Sequence, residues 1–106
     1  MIINLTNKPV KEWPESQRHL AEFLFGDIVD MKYSEISEDD NTEDIKLAAE
    51  KCFDEIIGLI STPYDGVVID GNLIFSYYLI NKLLEFGINC YIPLYVNNKY
   101  IKLLKL

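Results

Sequence analysis

The stretch that most restricts the fold is Val67-Val68-Ile69-Asp70-Gly71-Asn72-Leu73. It is an apolar block that ends in Asp-Gly-Asn and runs straight into a helix-like segment closed by Phe86-Gly87. Gly66 to Ile69 shows no polar alternation, which suggests a strand buried on both faces, as in the centre of a parallel sheet. The abrupt change to a helix puts the Asp-Gly-Asn corner at the carboxyl edge of an open α/β sheet. There, backbone N–H groups and a helix N-terminus can meet an anion. The corner marks a place for a site without naming its chemistry.

The flanking segments predict the rest of the sheet. Ile2 to Leu5 reads as a short buried strand, broken by Thr6-Asn7-Lys8-Pro9. Pro14 suits the first turn of a helix, Leu20, Phe23 and Leu24 supply its apolar face, and Gly26 ends it. Asp27 to Met31 is a second strand. After a polar connection from Ser34 to Asn41, Thr42 is the expected N-cap of a helix carrying Ile45, Ala48, Ala49, Cys52, Phe53, Ile56, Ile57 and Ile60 at helical spacing. Asn72 caps a third, unusually apolar helix with Leu73, Tyr77, Leu79, Ile80, Leu83, Leu84 and Phe86, part of which suits a partner chain. Ile88 to Val96 is a fourth strand. Asn97-Asn98 fits a tight hairpin, and Lys99 to Leu106 returns antiparallel. The order predicts one α/β domain over residues 1–106: a three-layer, mostly parallel sheet of order 2-1-3-4 with the last strand at the edge. Its switch point falls between the first and third strands, so Thr6, Asn7 and Lys8 are expected to face Asp70, Gly71 and Asn72 across one crevice.

Composition limits what such a sheet can serve. The net charge of −7 argues against a general binder of long nucleic acid, which needs a basic face. Nine of the seventeen acids lie between Glu35 and Glu55, where they suit a solvated helix start, whereas Lys99, Lys102 and Lys105 suit a blunted edge strand. Cys52 and Cys90 lack metal-ligand spacing and there is one histidine, so no zinc site or other metal centre is expected, and the cysteines read as reduced and buried. The apolar runs are too short to span a bilayer and the N-terminus lacks a signal-like basic region, so no membrane partner and a cytoplasmic location are expected.

The chain holds neither GxGxxG nor GxxxxGK[ST], which weakens dinucleotide and NTP-hydrolysing readings, and no cofactor is expected. Gly71 permits either a plain tight turn or close approach of another group. Asp70 suits a turn hydrogen bond better than magnesium, having no clearly paired carboxylate. Asn72 is a helix cap that can also donate to a ligand. The Ser76 and Tyr77 hydroxyls, a turn further on, can reach a phosphate or a ribose, although Tyr77 equally suits the core. Lys8 is the cation at the first strand's exit. His19, mid-helix and alone, suits an exposed or structural role, and Trp13 before Pro14 suits a staple at the helix start.

Taken in order, Asn4-Leu5-Thr6-Asn7-Lys8-Pro9, Trp13, Gly26-Asp27-Ile28-Val29-Asp30, Asp70-Gly71-Asn72 with Ser76-Tyr77, and Gly87-Ile88 resemble small CRISPR-associated Rossmann-like proteins related to the ring nucleases. The resemblance spans nearly the whole chain and implies a CARF-like homodimer of type III CRISPR antiviral defence that binds a cyclic oligoadenylate across its two-fold axis. It implies a ligand set of Thr6, Asn7, Lys8, Asp70, Gly71, Asn72, Ser76 and Tyr77. It also implies metal-independent ring opening, in which a ribose 2′-hydroxyl held in line attacks the adjacent phosphorus. Lys8, the amides near Gly71 and the Ser76 hydroxyl would stabilise the charge. The chain departs from the relatives at several points. Lys8 stands where they often have His, Asp70 and Asn72 where they have Gln and an acid, and Ser76 where they have Thr. Ile92 to Val96 lacks the arginine of their Thr-Ser-Glu-Arg type segment. The lost arginine removes a phosphate ligand and favours recognition, as in a sensor or sponge, over fast cleavage. Two other classes remain open: a small homodimeric interaction module without a nucleotide, and a metal-dependent phosphotransfer enzyme using Asp70.

Overall fold

Three short strands rich in Ile and Val, joined by the start of a longer fourth, build the parallel core of the computed structural model, which describes residues 1–106. They are β1 (Ile2–Leu5), β2 (Ile28–Asp30), β3 (Gly66–Ile69) and the start of β4 (Asn89–Val96). With β5 (Lys99–Lys105) they form one five-stranded sheet in the order β2-β1-β3-β4-β5. The first three pairings are parallel, with Leu5 opposite Ile69, and β4–β5 is antiparallel. This is the α/β architecture and strand order expected from the chain. Asn97 and Asn98 turn the hairpin at φ +52° and +62°, the left-handed pair that matches strand twist.

Helices cover both faces. α1 (Glu15–Phe25), preceded by a 3₁₀ turn at Val10–Glu12, lies on one face; α2 (Thr42–Leu59) and α3 (Leu73–Glu85) lie on the other. Side chains alternate along each strand. Ile3, Leu5, Val67, Ile69 and Cys90 meet Ile45, Ala49, Phe53, Ile56, Phe75, Leu79 and Leu83 in the larger core. Ile2 and Val68 point the other way, to Trp13 and Ala21. Both cysteines are free and buried. No helix is long and apolar enough to cross a membrane.

Two local expectations are corrected. The N-cap of α2 is Asn41, not Thr42: Asn41 Oδ1 accepts from the Asp44 N–H (2.9 Å) and Asp44 Oδ2 accepts from the Asn41 N–H (3.1 Å), a reciprocal capping box. The buried face of α1 is not Leu20, Phe23 and Leu24, which are exposed, Phe23 by 85%. The inward stripe is Trp13, Gln17, Ala21 and the half-buried Phe25, spaced by four residues. Counting large apolar residues finds the wrong side, because the small Ala21 is what lets this helix approach the sheet.

Candidate functional site

The exit of β1 is held by a polar residue within an otherwise apolar strand. Asn4 is buried; its Nδ2 donates to the Lys8 carbonyl and to Asp30 Oδ1, both at 2.8 Å, and its Oδ1 accepts from Thr6 Oγ1 at 2.8 Å. Asp30 Oδ1 also accepts from the Val10 N–H at 3.0 Å, and the Trp13 indole N–H reaches the Lys8 carbonyl at 3.2 Å. Buried polar groups are satisfied in this way, and the network fixes one path for Thr6-Asn7-Lys8. The Lys8 carbonyl is thus an anchor, while its ammonium side chain stays exposed. Trp13, just ahead of α1, is buried with Ile2, Ala21 and Val68.

The Asp70-Gly71-Asn72 corner is organised by Tyr33, from the segment after β2. Gly71 has φ +144°, and a Cβ there would overlap the Tyr33 phenol. The close approach that Gly71 permits is therefore made by a side chain of the protein itself. The Tyr33 oxygen accepts from the Asn72 N–H at 2.6 Å, and its ring packs on Phe75 at 5.4 Å between centroids. Burial raises the Tyr33 pKa, opposed by the Asn72 hydrogen bond, so the phenol stays protonated at neutral pH. Asn72 caps α3 through its side chain, which accepts from the Phe75 N–H at 3.0 Å. One amide of the corner is therefore committed to Tyr33 and another to the cap.

Two clefts open on either side of Asp70 and Pro93, which line both. The first, about 380 Å³, is bounded by Thr6, Asn7, Lys8, Trp13, Gln17 and Tyr95, with Asn98 at its rim. The second, about 400 Å³ and more apolar, is bounded by Gly71, Leu73, Ser76, Tyr77, Ile80 and Ile92. The single crevice expected from strand order is thus divided. Thr6, Asn7 and Lys8 meet Asp70 at the switch point; Gly71, Ser76 and Tyr77 open to the other side, and Asn72 lines neither. Lys8 and Ser76, the two candidate catalytic groups, share no cleft. Tyr77 is 63% exposed rather than core.

The first cleft carries mixed chemistry: an ammonium at Lys8, a carboxylate at Asp70, amides at Asn7, Gln17 and Asn98, and aromatic walls at Trp13 and Tyr95. Tyr95 has its pKa raised by burial and by the charge of Asp70. No group of three or more His, Cys, Asp or Glu side chains could hold a metal ion. Asn4 and Asp30 lie in segments that carry the family resemblance but have no expected site role, and no expectation from the sequence falls on Tyr33 or Gln17. Asn4 had a signal, a lone polar residue in Ile-Ile-Asn-Leu; Gln17 had a fainter one, lying four residues from Trp13 and four from Ala21. Tyr33 had none, since its partner is 39 residues away. No family model, curated protein or solved structure matches the chain.

Proposed function

We propose that this protein is a Rossmann-like homodimer that binds a cyclic oligoadenylate and acts mainly in recognition, as a sensor or sponge. The observation that carries the reading is the first cleft: a cation, a carboxylate, amides and two aromatic walls gathered at the carboxyl ends of β1 and β3, where open α/β sheets take ligands. Lys8 suits a phosphate, Asp70 a ribose hydroxyl, and Tyr95 a base face. Leu73 (82% exposed) and Tyr77 form an apolar surface continuous with this cleft through Asp70 and Pro93, and a second copy seated there would bring two clefts together around a symmetric ring. Cleavage is slow or absent in this reading. Ring opening needs several donors around one phosphorus, and Lys8 and Ser76 belong to separate clefts.

The test is incubation with cyclic tri-, tetra- and hexa-adenylate, scored for binding and for linear products. Tight binding of at least one ring with little linear product is expected; no binding of any ring overturns the reading. The exposed face of α3 also favours a plain assembly module. That reading predicts a dimer whose cleft resonances stay unmoved when the rings are added.

A further inference from the structure

Gln17 is the buried polar side chain of the switch-point cleft. It is 1% exposed, and its carboxamide oxygen has no hydrogen-bond partner. A buried acceptor left unpaired destabilises the fold, and a Met or Leu of similar length would occupy the same stripe between Trp13 and Ala21 without that penalty. The group therefore has unspent hydrogen-bonding capacity beside a ligand cleft, and because the oxygen itself is enclosed, a ligand meets it once the carboxamide turns outward. Around it stand aromatic surface from Trp13 and Tyr95, with the Lys8 ammonium exposed nearby. A carboxamide presents one acceptor and one donor side by side. That pair matches the 6-amino group of adenine and the ring nitrogen beside it, whereas guanine offers two acceptors on the corresponding major-groove edge.

We infer that Gln17 reads the adenine base, its oxygen accepting from the 6-amino group and its amide donating to the neighbouring ring nitrogen, with the phosphate directed toward Lys8. This rests on the proposed adenylate-binding role and names the group that selects the base.

The experiment measures binding of AMP, GMP and purine riboside 5′-monophosphate, which lacks the 6-amino group, to the wild type and to Gln17→Met. The three cyclic adenylates are measured on both proteins, and thermal midpoints are taken without ligand. The wild type should prefer AMP about 10- to 100-fold over the other two mononucleotides. Gln17→Met should bind all three alike and should melt about 4 °C or more higher, having lost the unpaired amide. Retention of the preference in Gln17→Met overturns the inference, as does a lowered midpoint with the preference intact. Rings bound equally by both proteins would leave the ring reading standing and sink the base contact. AMP discriminated through Gln17 while no ring binds would do the reverse, and failure of both rings and AMP removes both.

Discussion

Single residues at turns hold this molecule together in ways that titration and substitution can read. Asp65 is buried, and its carboxyl lies well below the usual carboxylate range. The Ser61 N–H, then the Met1 ammonium at 3.1 Å, and the Thr62 N–H outweigh the burial that pushes it up. The folded chain therefore binds this proton more weakly than the unfolded one. Asp65 stabilises the fold above the ordinary carboxylate pKa of about 4, and that contribution is lost as the pH falls toward the folded value. Asp65→Asn should lower the urea midpoint at pH 7, and its gap from the wild type should shrink below about pH 4; a gap constant from pH 7 to pH 3 would contradict this. At Gly71, a Cβ meets both a positive φ and the Tyr33 ring, so Gly71→Ala should cost about 2 kcal/mol or more in urea unfolding. Placing Tyr33→Ala in the same chain should remove the steric part of that cost and leave the dihedral part. A double-mutant cycle would show this as coupling between the two sites.

Among the elements, α2 and α1 differ in how they are specified. α2 begins with a reciprocal cap and buries five side chains at helical spacing, so local signal and tertiary burial agree. Asn41→Ala should cost about 1 kcal/mol by denaturant unfolding, and Thr42→Ala much less, which separates the observed cap from the expected one. α1 has no side-chain cap and buries only Gln17 and Ala21 within its span. Leu20, Phe23 and Leu24 face outward, which is why hydrophobic counting misplaced its inner face. The polar Asn4 in β1 shows the same limit: its side chain is satisfied only by the Lys8 carbonyl, Thr6 and Asp30, which the fold brings to it.

For the whole molecule, the exposed apolar face at the start of α3 is the feature that a monomer leaves unexplained. If the proposed dimer forms through this face, Leu73→Glu should shift the protein from dimer to monomer in sedimentation and weaken ring binding, although Leu73 does not line the switch-point cleft, and a monomeric wild type would contradict the proposed assembly. A dimer that persists in Leu73→Glu would move the interface elsewhere. Element order, strand order, the Asn97-Asn98 hairpin and the buried central strand were legible in the chain, because each depends on periodicity or turn chemistry among close neighbours. That a cleft opens at the β1–β3 switch point, where the candidate site lies, was legible for the same reason. The division of that site into two clefts, the Tyr33 ring over Gly71 and the unpaired amide of Gln17 were decided only by the tertiary structure. They depend on which side chains meet after elements remote in sequence have packed, as Tyr33 and Asn72 do across 39 residues.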